Sequence, residues 1–407
     1  MVRALKAGVK SPLNGIRVLD ASTFIAGPSC AALLAEFGAE VIKVEHPVGG
    51  DPLRQLGTDS GSDGRSLLWL NEGRNKRSVT LNLKSTRGAQ MFRDMAAKAD
   101  VVIENFRPDT MDGWGLSFER LQAANRGLIM LKVSGYGQDG PYRDLPGFAR
   151  IAHAVSGLSH LTGEVDGAPL TPGSTSLADY MSGLYGVIGI LLALRSRDET
   201  GRGQMIDVAL YESVFRALDE IAPAYALKGT VRGRQGIHTV NACPHGHFQC
   251  KDRKWVAIAC TNDKMFARLC DVIGRSDLAT AACYQTVQSR IDDEDAVNQI
   301  VQDWTRAHTR DEVQRACNEG AVPCGAILTI EDIVADPQYA ARKTLTDMMV
   351  EGVGALPFPS PLPRLSETPG QLKTLGPKLG EANADIYGEL LGLSQSDLAV
   401  LRDEGVI

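Results

Sequence analysis

The sequence predicts an α/β fold, with a doubly wound, Rossmann-like parallel sheet in a large domain and a smaller α+β domain. Short apolar runs typical of strands alternate with helical patterns through residues 16–133. Such βαβ alternation is typical of a parallel sheet with helices on both faces. A hairpin pattern then appears at residues 246–259, and 407 residues are enough for more than one domain.

The predicted strands and helices follow one another in chain order. Strands are expected at residues 16–20, 41–45, 78–83, 101–103 and 128–133. Residues 28–37 predict a helix with proline inside its start and Gly38 beyond its end, and residues 86–98 predict another. Ligands bind at the carboxyl ends of such strands. We therefore expect a site among residues 21–28, 46–51, 104–108 and 134–136.

The remainder of the chain changes character. Residues 207–216 look helical, and residues 246–250 and 255–259 predict a hairpin. The proline-rich segment beyond residue 333 predicts an extended strap, because proline suits neither helix interiors nor central strands. Residues 383–404 return to a helical pattern. The expected division is a large domain over residues 1–215, a linker over 216–235, a small domain over 236–330, and a strap with the rest of the large domain over 331–407.

Composition limits the possible partners and the compartment. The net charge of −6 argues against a nucleic-acid or anionic-membrane surface. No apolar run reaches the ~20 residues that span a bilayer, and residues 1–10 lack the apolar core of a signal peptide. Eight cysteines are scattered without a framework, as is typical of reduced thiols. We expect a cytoplasmic enzyme with no nucleic-acid or membrane partner.

A single carboxylate, Asp179, begins the strongly apolar helical segment at residues 178–194. Its glycines, Gly183, Gly186 and Gly189, recur every three residues, so another backbone can approach one side of the helix closely. One interpretation of Asp179 is a helix N-cap. The other is a carboxylate nucleophile at the positive end of a helix. The two interpretations are compatible.

Other motifs give weaker indications. No G-x-G-x-x-G follows the first strand and no Walker loop is present, so a dinucleotide or P-loop site is poorly supported. The basic run at residues 74–77 is either a solvated loop or a contact to a phosphate-bearing ligand.

The run Cys243, His245, His247 and Cys250 contains residue types that bind zinc. Structural zinc sites usually recruit two separated pairs, and here Pro244 and the lack of a second pair count against one. We predict no metal site.

About ten segments stand in one order along the chain: P-L-N-G-I-R-V-L-D, A-G-P, L-A-E-F-G-A-E-V-I-K-V-E, N-K-R-S, A-D-V-V-I-E-N-F-R-P, S-G-Y-G-Q-D-G-P-Y, the segment around Asp179, T-G-R-G-Q-M-I-D-V, N-D-K-M-F, S-E-T-P-G and the G-V-I terminus. In these segments the chain resembles the class III CoA-transferase family (CaiB/BaiF type). They cover nearly the whole chain. Formyl-, carnitine- and dicarboxylate-CoA transferases are members of this family.

The resemblance implies roles for particular residues. Asp179 matches the aspartate that attacks the donor thioester. Ala26, Lys76, Asn105 and Phe106 match positions that line the CoA site of formyl-CoA transferase. Three further positions differ from that enzyme, with Ile25 for glutamine, His46 for arginine and Ser134 for lysine. Since Gly113 replaces an arginine of many relatives, Arg107 is expected to contact CoA instead, and Tyr136 completes the expected CoA-binding set.

The resemblance also implies the reaction and the assembly. CoA thioesters are then substrates, no cofactor is tightly bound, and two identical chains interlock. The glycine stripe and the proline-rich strap are expected to support close packing between the two chains. A partner chain of the same family would be an alternative to the identical copy. A non-catalytic binding subunit is a further alternative, which the presence of Asp179 disfavours.

The acyl group is predicted from residues 146–157. Many relatives carry aspartate and glutamine where this chain has Ala149 and His153. Together with Arg150, this change makes the local field more positive, which favours a second carboxylate on the substrate. Succinyl-CoA is therefore the expected donor, and a dicarboxylate or hydroxydicarboxylate is the expected acceptor. The alternatives are a monocarboxylate (formate, oxalate or a carnitine-like acid) and an α-methylacyl-CoA racemase, whose G-H-D segment here reads Gly147-Phe148-Ala149.

Overall fold

The structure is a computed structural model that describes residues 10–61 and 64–407. The expected lack of a signal peptide concerns residues 1–10, of which 1–9 lie outside the described residues. The strands are β1 (Arg17–Asp20), β2 (Glu40–Glu45), β3 (Lys76–Thr80), β4 (Val101–Glu104), β5 (Ile129–Ser134), β6 (Met205–Ala209), β7 (His245–Gln249), β8 (Trp255–Ala259), β9 (Cys324–Ala326), β10 (Leu345–Val350) and β11 (Gly354–Pro359).

Helices connect these strands. They are α1 (Ala26–Glu36), α2 (Leu67–Glu72), α3 (Thr86–Ala96), α4 (Thr110–Gly113), α5 (Phe118–Ala124), α6 (Ala149–Val155), α7 (Leu158–Leu161), α8 (Leu177–Thr200), α9 (Leu210–Phe215), α10 (Ile221–Lys228), α11 (Asp263–Val272), α12 (Ser276–Thr280), α13 (Val287–Asp292), α14 (Glu294–Ala307), α15 (Arg310–Glu319), α16 (Ile330–Ala335), α17 (Pro337–Arg342), α18 (Asn383–Leu391) and α19 (Gln395–Asp403).

The main sheet confirms the predicted doubly wound architecture. Its six strands are all parallel, in the order β3-β2-β1-β4-β5-β6. Strands β4 and β5 are buried along their whole length, as expected for apolar runs with helices on both faces. The strand order reverses between β1 and β4, where open α/β sheets bind their ligands.

The sixth strand corrects one sequence prediction. Residues 207–216 looked helical, but Met205–Ala209 pairs in parallel with β5 and only Leu210–Phe215 is helical. No glycine or proline separates strand β6 from the helix that follows it. Because strand β6 ends where helix α9 begins, the pattern carries no boundary signal.

The chain divides into two compact units. Unit 1 comprises Met1–Leu158, Thr171–Glu220 and Ala340–Ile407, and unit 2 comprises Ser159–Leu170 and Ile221–Tyr339. The residues predicted for the linker and the strap are thus shared between the two units, and the short stretch Ser159–Leu170 belongs to unit 2 rather than to the expected large domain. In unit 2, β7, β8 and β9 form an antiparallel sheet, which confirms the predicted hairpin.

The proline-rich segment is more structured than an extended strap. Strands β10 and β11 form an antiparallel hairpin that contains Pro357 and Pro359. Proline is tolerated there because each strand of a two-stranded sheet is an edge. The chain then returns to the main sheet, where the Tyr387 hydroxyl donates to the Thr80 carbonyl oxygen at 2.6 Å and the Asn82 N–H to the Val406 carbonyl oxygen at 2.7 Å.

Helix α8 packs by its glycines inside its own chain, which corrects the expectation that they serve an interchain contact. A Cβ at Gly183 would lie 3.0 Å from the Ala26 carbonyl oxygen in α1, and one at Gly186 2.7 Å from Cδ2 of Leu131 in β5. The close approach therefore joins α8 to α1 and to the main sheet.

The opposite side of α8 is apolar and exposed. It carries Leu184, Ile188, Leu191 and Leu192, of which Leu192 is 65% exposed. An 18-residue window of this helix has a mean hydropathy of 1.6, which by length and composition alone is that of a membrane span, although no single apolar run in the sequence had suggested one. Its glycine face lies against α1 and β5, so the helix presents one packed and one unpartnered side.

Candidate active site

A cavity of about 190 Å³ opens at the carboxyl ends of β1, β4 and β5, at the predicted edge of the sheet. It lies next to the point where the strand order reverses. Its lining comes from the segments that follow these strands, from the start of α8, and from the loop before α6: Thr23, Phe24, Ile25, Ala26, Asn105, Phe106, Arg107, Pro108, Val133, Ser134, Gly135, Arg143, Leu145, Pro146, Gly147, Phe148, Asp179 and Leu210.

The loop between β1 and α1 is held rigidly at this cavity. The Asn105 side chain accepts from the Thr23 N–H and donates to the Thr23 carbonyl oxygen, both at 2.7 Å. Asp51 accepts from the Phe24 N–H at 3.0 Å and pairs with the buried Lys43 at 2.8 Å. Phe24 has φ of 61°, a conformation that costs a bulky residue energy and that these bonds maintain.

Asp179 lies in the first turn of α8, partly buried against the cavity. Ser176, not Asp179, is the N-cap residue, so the capping interpretation of Asp179 is wrong. Burial raises the pKa of Asp179 to about 6, against a smaller opposite effect of a hydrogen bond from Ser176. A carboxylate that sheds hydration in this way is a stronger nucleophile than one in water.

The N-terminus of α1 borders the same cavity. Ile25 and Ala26 line it, and no side chain in the described part of the chain caps this helix end. The first N–H groups of a helix have no partners within the helix, and the helix dipole makes them attractive to negative charge. The arrangement thus places free N–H donors beside a carboxylate, which suits stabilisation of an oxyanion.

Six of the residues expected to bind CoA line the cavity together with Asp179: Ile25, Ala26, Asn105, Phe106, Arg107 and Ser134. His46 lies instead in an adjacent cavity of about 130 Å³, to which Thr23 and Phe106 also contribute. Tyr136 lines neither and packs edge-on against Tyr142, with ring centres 5.8 Å apart.

Lys76 does not line the cavity that contains Asp179. Its ammonium group is completely buried and bonds to Asp20 at 2.9 Å and to the Pro28 carbonyl oxygen at 2.7 Å. Burial lowers its pKa. The neighbouring Arg74 pairs with Glu36 at 2.9 Å, and Arg77 pairs with Glu40 at 3.0 Å. The basic run therefore forms ion pairs within unit 1, and Lys76 and Arg77 also line a separate cavity of about 830 Å³. The expected contact of Lys76 with CoA stays a prediction.

The expected acyl-binding pair, Arg150 and His153, is not brought into the cavity. Arg150 is exposed on α6, outside the lining. His153 is 1% exposed, and its Nε2 accepts from the Ala178 N–H at 3.0 Å. Burial, with the nearby Arg150 charge, lowers its pKa. His153 is therefore a neutral ring inside the fold and cannot supply positive charge to a substrate.

Arg143, which was not predicted as a site residue, also lines the cavity. Its guanidinium group bonds to Asp109, an exposed carboxylate. Arg107, also in the lining, makes no side-chain hydrogen bond or ion pair with the residues that the structure describes. The cations of the cavity are thus Arg107 and Arg143. Arg143 lies in the loop that follows β5, where no periodic pattern in the sequence gives the direction of a side chain.

An aromatic pair was missed as well. Phe24 and Phe148 meet edge to face with ring centres 5.7 Å apart, and both line the cavity. They give it an apolar wall beside Asp179. Phe148 occupies the centre of the segment that would read G-H-D in a racemase.

The cysteine and histidine run does not converge on one point. His245 and His247 lie on one side of β7, whereas Cys243 is buried beside Asn298, with Sγ 3.9 Å from Oδ1. Within residues 10–61 and 64–407, no group of three or more histidine, cysteine or acidic side chains is placed to hold a metal ion.

Comparison with known proteins gives consistent results along the chain. A family model described as CoA-transferase family III matches residues 13–383. The beta subunit of succinyl-CoA–L-malate CoA-transferase from Chloroflexus aurantiacus is 54% identical over 97% of this chain and 98% of that protein. The alpha subunit of the same enzyme is 52% identical over 97% of this chain and 92% of that protein.

A solved structure agrees with the fold. The crystal structure of a CAIB/BAIF family protein from Brucella suis superimposes with a TM-score of 0.82 at 34% identity, covering 94% of this chain and all of that one.

Proposed function

The chain belongs to CoA-transferase family III, and from this membership we propose that it moves CoA from succinyl-CoA to a small dicarboxylic acid of the malate kind. It is thus a transferase whose substrates include CoA thioesters. The proposed donor and acceptor follow the names of the two similar Chloroflexus subunits. The observation that carries the proposal is the partly buried Asp179 carboxylate in the cavity beside the free N-terminus of α1.

The first half of the proposed reaction loads CoA onto the enzyme. The Asp179 carboxylate attacks the succinyl thioester carbonyl, the C–S bond breaks, and CoA leaves as a thiolate while a mixed anhydride forms. The thiolate then attacks the aspartyl carbonyl and breaks its bond to the succinyl oxygen. Succinate is released and Asp179 holds CoA as a thioester, with the activation energy retained.

The second half runs the same steps with the acceptor. The acceptor carboxylate attacks the aspartyl thioester, thiolate leaves, and a second anhydride forms. The thiolate attacks the acceptor carbonyl of this anhydride, which gives the new acyl-CoA and regenerates the Asp179 carboxylate. No proton transfer is needed, and this agrees with the lack of a partner base among the residues that line the cavity.

Each attack makes an oxyanion and exposes an intermediate that water would destroy. The N–H groups at Ile25 and Ala26 lie at the cavity, where they are placed to stabilise the oxyanion. Phe24 and Phe148 supply an apolar wall that excludes water. The loop between β1 and α1, which Asn105 and Asp51 hold, keeps the N–H groups and the apolar wall in position.

The second carboxylate of the substrates needs positive charge, which we assign to Arg107 and Arg143 in place of Arg150 and His153. Both line the cavity with Asp179. An arginine fork binds a carboxylate by two parallel bonds, so it also fixes orientation. Arg107 is in addition our expected CoA contact, which makes Arg143 the sharper test of acid selectivity.

Trapping tests the covalent mechanism. Wild-type protein incubated with succinyl-CoA and then with hydroxylamine or borohydride should be modified at Asp179 alone, as read by mass spectrometry. Asp179→Ala should give no adduct and no transfer while still binding CoA. Full transfer activity in Asp179→Ala would rule out the mechanism.

A panel of acids assayed with succinyl-CoA tests the substrate class. Malate and other dicarboxylates should outperform monocarboxylates of equal length, and Arg143→Ala should lose at least about tenfold of that preference, since a charge-assisted pair is worth about 1.5–3 kcal/mol. Arg150→Ala, whose side chain lies outside the cavity, is the matched control. Equal rates for malate and for an acid of equal length without a second carboxylate would refute a cationic acyl site. They would favour the monocarboxylate alternative.

The proposed assembly is an interlocked homodimer in the cytoplasm. The exposed apolar face of α8 supports an interface, since contiguous apolar patches of this kind mark association sites. All eight cysteines are unpaired, which supports a reducing compartment. The two similar Chloroflexus proteins are named as subunits, so a second, homologous chain is the alternative partner.

A further inference from the structure

Helix α8 begins without an ordinary side-chain cap. Its N-cap residue, Ser176, donates to the Asp179 side chain but accepts no bond from a backbone N–H of the first turn, although serine at this position usually does. The Asp179 and Tyr180 N–H groups bond to the Ser176 carbonyl oxygen at 3.0 and 3.2 Å. Two N–H groups of this turn remain, those of Leu177, which is exposed, and of Ala178, which is fully buried. The buried N–H of Ala178 needs an acceptor from elsewhere in the fold.

His153 supplies that acceptor from 25 positions earlier in the chain. Its Nε2 lies 3.0 Å from the Ala178 nitrogen, and the ring is 1% exposed. A ring nitrogen accepts only when it carries no proton, so the single proton of the neutral imidazole is on Nδ1. Nδ1 itself has no hydrogen-bond partner among the described residues. One ring nitrogen, Nδ1, is therefore left without a hydrogen bond, while the other, Nε2, holds the backbone next to Asp179.

The other residues of the turn are fixed on the far side of Asp179. The Tyr180 hydroxyl donates to Glu72 in α2 at 3.1 Å, and the Ser182 hydroxyl donates to the Ala178 carbonyl oxygen at 2.7 Å. Asp179 is therefore flanked by two residues anchored to different helices, Ala178 through α6 and Tyr180 through α2. Its backbone cannot rotate without breaking one of these anchors.

We infer that His153 is a positioning residue, which holds the first turn of α8 so that the Asp179 carboxylate meets the thioester carbonyl at the attacking geometry. This inference rests on the proposed function for the role of Asp179. It replaces the acyl-binding role that the sequence suggested for His153. A displacement of about 1 Å at a reacting group costs on the order of 10²-fold in rate.

Three substitutions separate this role from simple packing. The amide oxygen of glutamine reaches the place of Nε2, whereas that of asparagine reaches only the place of Nδ1, and leucine fills the space with no acceptor. We expect kcat to fall roughly 10- to 100-fold in His153→Leu and His153→Asn, and to stay within about threefold of wild type in His153→Gln. KM for succinyl-CoA should change less than about twofold in all three, because the ring does not line the cavity.

Hydrogen exchange gives a readout that does not depend on catalysis. In His153→Leu, the peptide that contains the Ala178 amide should exchange at least about tenfold faster than in wild type, and in His153→Gln it should exchange at the wild-type rate. An unchanged exchange rate in His153→Leu would show that His153 does not fix the first turn of α8. Unchanged kcat, or a raised KM with normal kcat, would overturn the positioning role.

Failure of the proposed function has a different signature. If wild type gives no adduct at Asp179 in the trapping experiment, the nucleophile assignment fails. The exchange rates of the His153 variants then still decide whether His153 fixes the start of α8.

Discussion

At the residue scale, the proposed chemistry depends on one carboxylate, that of Asp179, whose pKa is raised by burial. Burial raises the pKa of Asp179 to about 6, and only the ionised form attacks a thioester. We expect kcat/KM for succinyl-CoA to be constant above pH 7 and to fall about tenfold per pH unit well below pH 6, as free-enzyme profiles report such groups. Initial rates between pH 5 and 8 measure this. A profile that stays flat down to pH 5 would contradict it.

The same shift has a consequence for stability. The pKa of Asp179 is 3.8 in its ordinary state and about 6 in the fold, so the ionised form destabilises the fold above pH 3.8, and fully so above pH 6. The cost is at most about 3 kcal/mol at neutral pH. Asp179→Asn should therefore raise the melting temperature at pH 8 and have little effect at pH 4. An equal increase at both pH values would show that ionisation is not the cause.

The sequence led to Asp179 as the proposed nucleophile but not to the residues that surround it. Periodicity placed Asp179 at a helix start, and the family resemblance gave it a role. Periodicity could not show that His153 points inward to Ala178 while Arg150, three residues earlier on the same helix, is exposed. Nor could it show that Arg143 reaches the cavity, because a loop residue carries no periodic signal for its direction.

At the scale of elements, the contact between α8 and α1 depends on the absence of side chains. A Cβ at Gly183 would lie 2.5 Å from Ser29 Oγ and 3.0 Å from the Ala26 carbonyl oxygen, and the second atom is backbone and cannot yield. Gly183→Ala should destabilise the fold by about 1–3 kcal/mol, despite better helix propensity. It should also lower kcat, since Ala26 lines the cavity.

Chemical denaturation of Gly183→Ala and Gly113→Ala measures this. A Cβ at Gly113, in α4, would meet nothing within 4 Å, so that substitution should be neutral or mildly stabilising. Equal stability of the two variants would mean that α8 and α1 have room to separate.

Strands β1 to β5 were predictable to within a few residues because their apolar runs are bounded by turn residues, whereas β6 was not recognised as a strand. Helix α1 ends at Glu36, two residues before the glycine that the sequence indicated. The glycine stripe was recognised as a site of close approach, but its partner was misassigned. Spacing reveals that a backbone comes near, and only the folded chain shows that the backbone is α1.

At the scale of the whole molecule, the exposed side of α8 leads to a prediction about mass. Light scattering should give twice the 43.7 kDa of one chain at micromolar concentration. Ile188→Asp combined with Leu192→Lys should give the single-chain mass, because charges in an apolar interface are strongly disfavoured. Val400→Asp, at an exposed apolar residue of α19, is the control and should remain dimeric. A monomeric wild type would favour a different partner chain.

The return of the C-terminal helices to β3 has a consequence for synthesis. The Tyr387 hydroxyl bonds to a carbonyl 307 residues earlier in the chain, and Ile386, Leu398 and Leu401 complete the apolar core on that face of the sheet. At about 5–20 residues per second, β3 waits roughly 15–60 s for these helices to leave the ribosome. The nascent sheet meanwhile exposes one apolar face to solvent, and such transiently exposed faces are what chaperones bind.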